Sequence, residues 1–131
     1  MESSQDRLKA DLILLNRALK TLEEVLNMPR SNVTRDAAIQ RFEYCFELSW
    51  KALQAASRIS GLDCASPRDA IKNGFKEGWI TDAKPWFESL EARNLTSHTY
   101  NEKLAETVYQ IAKRFPEIAE SLRERLVKSE A

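Results

Sequence analysis

One stretch of this chain collects side chains that could act on a phosphate. Arg93, Asn94, Thr96, Ser97, His98 and Tyr100 fall within eight consecutive residues, and His98 is the only histidine in the sequence. An imidazole titrates near pH ~6.5 in reference peptides, so it can take or give a proton near neutrality. Arg93 offers a planar, permanently charged fork able to hold a phosphate through two donors. Asn94 can donate to a phosphoryl oxygen or orient the imidazole. Thr96 and Ser97 add hydroxyls, and Tyr100 adds a phenol that can also accept a covalent group. No Asp, Glu or His cluster has metal-ligand spacing, so cleavage without a metal or other cofactor is the chemistry this set suits. A lone histidine is more often a solvent-facing or hydrogen-bonded structural group. What favours the functional reading is place: the run lies in a connector between helices, where rigid scaffolds often carry functional groups.

Other polar residues leave alternatives open. Glu43, Glu47 and Lys51 share a helical face, so Glu47 and Lys51 could pair within the helix. Glu43 or Glu47 could instead reach across to orient His98 or Arg93. Arg68, Lys72 and Lys76 also share a face; with Asp69 and Glu77 beside them, a solvated charged surface is the reading adopted. Trp50, Trp79 and Trp86 are assigned to packing. Cys45 and Cys64 follow no metal-binding spacing and read as reduced thiols of a cytosolic protein.

These residues must be positioned by helices. The chain has 131 residues with only 3 Gly and 4 Pro, which leaves few places to break regular structure. Leu8, Leu12, Leu15, Leu19, Leu22 and Leu26 alternate steps of four and three, one stripe of a first helix that Pro29 ends. A second helix runs from about Asn32–Thr34 to about Ser60, with Gly61 as its stop. It carries two apolar stripes, Ile39, Phe42, Phe46 and Leu53, then Ala38, Cys45, Leu48, Ala52, Ala55 and Ile59. So wide an apolar surface predicts a central position in a bundle together with use at a subunit interface. Ser66 and Pro67 start a short third helix that Gly78 closes. A fourth spans about Pro85–Arg93 with Trp86, Phe87 and Leu90 inward, and Asn94–Tyr100 is the connector. The last helix turns Leu104, Val108, Ile111, Phe115, Ile118, Leu122 and Leu126 inward, and Pro116 is expected to kink or split it. The prediction is one all-α domain over 1–131, an up-and-down bundle with a short helical insertion.

Composition bounds the function. Lys and Arg together number 20, and Asp and Glu number 20, giving a formal net charge of zero. A protein that coats nucleic acid nonspecifically is usually far more basic, so any RNA contact must be local. The longest apolar run is Leu12–Leu15, too short to span a membrane, and the first six residues lack the pattern of a secretion signal. A cytoplasmic protein without a membrane partner is expected. No glycine-rich phosphate loop or nucleophile elbow occurs.

Three segments carry a family resemblance. Arg93-Asn94…His98-Thr99-Tyr100-Asn101-Glu102 resembles the Arg-x4-His-x-Tyr signature of HEPN proteins of the HepT group. Arg41-Phe42-Glu43-Tyr44-Cys45-Phe46-Glu47-Leu48-Ser49-Trp50-Lys51 and Ser66-Pro67-Arg68-Asp69-Ala70-Ile71 are similar to the subgroup called nucleotidyltransferase substrate-binding proteins. The resemblance implies a four-helix bundle, a homodimer, and pairing with a minimal nucleotidyltransferase as a toxin–antitoxin module, possible higher hetero-oligomers included. It implies a metal-independent ribonuclease using Arg93 and His98, silenced by transfer of AMP to Tyr100. An older view of the subgroup implies instead a noncatalytic substrate-binding subunit of the transferase. One physical constraint is added by the sequence itself. Cleavage through a 2′-hydroxyl needs a proton acceptor and a proton donor, and one histidine per chain supplies both only if two copies face each other.

Overall fold

The computed structural model describes residues 3–130; Met1 and Glu2 of the N-terminal segment, and Ala131 at the end of the expected domain, lie outside it. The described residues form five α-helices and a 3-10 turn, with no strand: α1 (Ser4–Leu26), α2 (Asn32–Ile59), α3 (Pro67–Lys76), α4 (Ala83–Asn94), the turn Thr96–His98, and α5 (Glu102–Glu130). Side-chain caps set the starts. Ser3 accepts from the Asp6 amide, Ser66 from the Asp69 amide and Asp82 from the Lys84 amide, each at 3.1 Å. Ser31 and Thr34 form a reciprocal capping box. Each satisfies amides that a helix start leaves without partners.

Expectations at the helix boundaries are corrected in three places. The fourth helix begins at Ala83 rather than Pro85 because Asp82 caps it. Pro85 then sits in the first turn, where its missing N–H removes no helical bond. Part of the expected connector is ordered as the 3-10 turn, with the His98 amide donating to the Leu95 carbonyl at 2.9 Å. Pro116 does not split the last helix, which continues through it to Glu130.

Around the bundle, α1 packs on α2, α2 on α4, α4 on α5 and α5 on α1, with α2 and α5 also meeting across the diagonal. The Arg30–Glu106 contact places the start of α2 beside the start of α5, and Arg41 reaching the Thr21 carbonyl sets α1 against α2 in the opposite sense. This is an up-and-down four-helix bundle, and α3 is the short extra helix, packed on α2 and α4. Gly74 of α3 lets it approach closely: a Cβ there would stand 3.0 Å from Leu53 Cδ2 of α2 and 2.7 Å from Ile80 Cδ1 in the link to α4.

The wide apolar surface of α2 is spent on four neighbours, since it touches every other α-helix. Phe42, Phe46, Leu53, Ala38, Cys45 and Ala52 are fully buried, whereas Ile59 of the second stripe is 42% exposed near the helix end. Phe115 of α5 is the hub of the core. Its ring lies edge-on to Phe42 at 5.2 Å and to Trp86 at 5.5 Å, and 6.1 Å from Phe46. Burial of each such ring stabilises by about 1.5–3 kcal/mol relative to exposure. Trp50 and Trp79 pack partly buried against the core. Cys45 is buried within it, and desolvation pushes its thiol up to about 12. None of the described helices is long and apolar enough to cross a membrane.

Candidate phosphate site at the α4–α5 turn

The aromatic core supports the site directly. Phe46 carries the Arg93 guanidinium at its surface, the central carbon standing 5.8 Å from the ring centroid. Arg93 belongs to the last turn of α4, where a cation also complements the helix dipole. Its Nε donates to Glu47 Oε1 at 2.8 Å, and Nη2 stands 2.7 Å from the same oxygen. Nη1 donates to Asn94 Oδ1 at 3.0 Å. Each terminal nitrogen carries two N–H groups and meets one of these partners, so each keeps a donor for a ligand. The two side chains are 27% and 35% exposed, accessible yet held.

Glu47 is itself fixed. Its second oxygen accepts from Trp50 Nε1 at 2.9 Å. The two alternatives left by the sequence are thereby resolved: Glu47 reaches Arg93 rather than pairing with Lys51. Glu43, one turn earlier on α2, accepts instead from the Thr96 hydroxyl. That hydroxyl also lies 2.8 Å from the Arg93 carbonyl, and with one hydrogen it donates to one of them at a time.

His98 ends the 3-10 turn and Tyr100 follows in the link to α5. Both are exposed, Tyr100 by 83%, and their rings lie 6.1 Å apart with 66° between planes. Ser97 and Asn94 are exposed alongside. The residues singled out in the sequence therefore lie at the end of α4 and in the turn that leads to α5, with Arg93 tied to Asn94 and His98 beside Tyr100; no direct bond joins Arg93 to His98 among the described residues. Among the described residues no group of three or more His, Cys, Asp or Glu is placed to hold a metal.

Two features escaped the sequence reading. Arg35 is buried at 5% exposure and pairs with Glu102, two residues past Tyr100. In sequence it looks like an ordinary charge in the first turns of a helix, and only the fold reveals its burial. The support of Arg93 by Phe46 was equally hidden, because Phe46 reads as pure core. A separate cleft of about 630 Å³ between the end of α1 and the middle of α5 is lined by Glu23, Glu117, Glu120 and Glu124 against Lys113, the wrong sign for a phosphate.

Comparison with known proteins places the chain. Residues 10–128 match the model of the family described as nucleotidyltransferase substrate binding protein like. The chain belongs to that family. A crystal structure of a Thermus thermophilus protein superposes with a TM-score of 0.80 at 41% identity, covering 86% of this chain and 98% of the other. A Haemophilus influenzae protein, described as having the fold of a substrate binding domain of a nucleotidyltransferase, superposes with a TM-score of 0.75 at 28% identity, covering 88% and 98%. A Haemophilus influenzae protein named probable ribonuclease HepT is 34% identical over 77 residues. That alignment takes in 55% of this chain and 53% of the relative, about half the length of each. Both solved structures share this helical bundle, and one partial relative carries a ribonuclease name.

Proposed function

We propose that this chain is the HEPN component of a two-gene nucleotidyltransferase/HEPN toxin–antitoxin module. In this reading it is a metal-independent endoribonuclease with Arg93 and His98 at a cleft shared by two copies. The observation that carries the reading is the held guanidinium. Glu47, Asn94 and Phe46 fix Arg93 while donors remain for a ligand, five residues before an exposed imidazole. The name of the HepT relative supports the same chemistry.

The reaction follows from these groups. One His98 accepts the proton of an RNA 2′-hydroxyl as its oxygen attacks the adjacent phosphorus. The bond from phosphorus to the 5′-oxygen breaks, and the second copy's His98 gives that leaving oxygen a proton. Products are a 2′,3′-cyclic phosphate and a 5′-hydroxyl. Arg93 from each copy stabilises charge on the pentacoordinate phosphate. Zero net charge leaves recognition to this local cation pair rather than to long-range steering.

Silencing is assigned to Tyr100. Its exposed hydroxyl attacks the α-phosphorus of ATP on a minimal nucleotidyltransferase partner, releasing pyrophosphate and a proton. The attached AMP, beside His98, blocks the cleft and repels RNA. The second reading is a noncatalytic subunit that presents substrate to the partner transferase. The family description and the Glu47 carboxylate, which already neutralises Arg93, favour it. Incubating unmodified protein with RNA and chelator, beside His98→Ala, separates the two: cleavage lost on substitution supports the enzyme, and no cleavage by the wild type supports the binding subunit.

A further inference from the structure

Three polar residues of α2 grip three points of the segment that carries the site. Glu47 holds Arg93, Glu43 holds Thr96, and Arg35 holds Glu102. With 3.6 residues per turn, Glu43 and Glu47 lie about 80° and about 120° around the helix from Arg35, so all three share one side of α2. Between the last two grips run residues 97–101, where His98 and Tyr100 project into solvent. Core packing does not fix those side chains. The local bonds to backbone are few: the His98 amide to Leu95 at 2.9 Å, the Asn101 amide to His98 at 3.1 Å, the Thr99 hydroxyl to the Thr96 carbonyl at 3.1 Å, and Asn101 Oδ1 capping the amides of Lys103 and Leu104.

The far end of this span depends on an unusual residue. Arg35 is buried, with Nη1 2.5 Å from Glu102 Oε2 and Nε 3.0 Å from Asp36 Oδ1. A buried cation is costly without a counter-charge. Glu102, the first residue of α5, is 73% exposed, and its carboxylate is held by Arg35. The demand for compensation at Arg35 therefore adds an anchor at the first residue of α5, two residues beyond Tyr100 and four before the Arg30–Glu106 contact.

We propose that Arg35 is a positioning residue for the His98–Tyr100 turn, acting through its ion pair with Glu102. Its consequence for RNA cleavage rests on the function proposed above; its effect on the turn does not. Glu102→Gln removes the anchor while Asp36 still faces Arg35, which keeps the variant folded. Amide hydrogen exchange on the full chain at neutral pH reads the turn itself. Exchange at His98 and Asn101 should quicken about tenfold, while Leu15 and Leu19 in α1 keep wild-type protection. Glu102→Asp, which retains the charge, should restore part of the protection. Unchanged exchange at His98 and Asn101, or equal loosening throughout α1, would overturn the proposal. For RNA, Glu102→Gln should lower kcat with KM little changed. A wild type that cleaves no RNA would refute the ribonuclease reading alone, since the exchange result still decides the role of Arg35.

Discussion

Glu47 and Arg93, 46 positions apart in the chain, meet with two guanidinium nitrogens, at 2.8 and 2.7 Å, sharing one carboxylate oxygen. The pair joins the middle of the central helix to the last turn of α4. It fixes the orientation of the cation without closing its outward donors.

Removing the carboxylate separates orientation from stability. Glu47→Gln should lower RNA cleavage by about tenfold through loss of alignment. Because the pair is partly solvated, its contribution to stability should be only about 0–1 kcal/mol. Steady-state kinetics and a denaturant titration of the same variant check both halves.

Phe115 links the core to the site through Phe46. Phe115→Ala removes a buried ring that meets Phe42, Phe46 and Trp86. Loss of transfer energy together with the cavity should cost about 3–5 kcal/mol. Urea unfolding should show a lower midpoint.

The helical architecture was readable from periodicity: the α1 leucines and the double stripe of α2 give the bundle its core without reference to any relative. The two polar contacts that organise the site were harder. Glu47 faced Lys51 along its own helix and His98 or Arg93 across the bundle, and local spacing cannot rank a contact 46 positions away. Arg35 was missed because burial of a charge depends on what α5 brings beside it. Pro116 was expected to kink or split α5, and α5 continues through it to Glu130. Phe115 and Pro116 are themselves buried while Lys113, Arg114 and Glu117 are exposed, and tertiary packing of that buried side holds α5 continuous where isolated propensity predicts a break.

Acid should loosen the start of α5. Arg35 holds the Glu102 carboxyl below its ordinary range, chiefly by hydrogen bonding, and Arg30 does the same to Glu106. A carboxylate depressed in the folded state contributes stability that is complete above its unfolded value, near pH ~4.3. That stability drains as pH falls through the lower folded value. Wild-type stability should therefore fall more steeply below pH ~4.3 than that of Glu102→Gln. Denaturant titrations between neutrality and acid compare the slopes.

Tyr100 makes a chemical prediction. With the partner nucleotidyltransferase and ATP, the peptide containing Tyr100 should gain one AMP, and Tyr100→Phe should abolish the adduct. Mass spectrometry checks it; a full-strength adduct in Tyr100→Phe would place the modification elsewhere.

The claim on which the functional account rests is that Arg93 and His98 cut RNA without a metal. Its most direct measurement is single-turnover cleavage by unmodified protein in chelator, with end-group analysis of the fragments. The account predicts 2′,3′-cyclic phosphate and 5′-hydroxyl ends, with the rate reduced at least about a hundredfold by His98→Ala or Arg93→Ala. Intact RNA with the wild type, or equal cutting by His98→Ala, would contradict it.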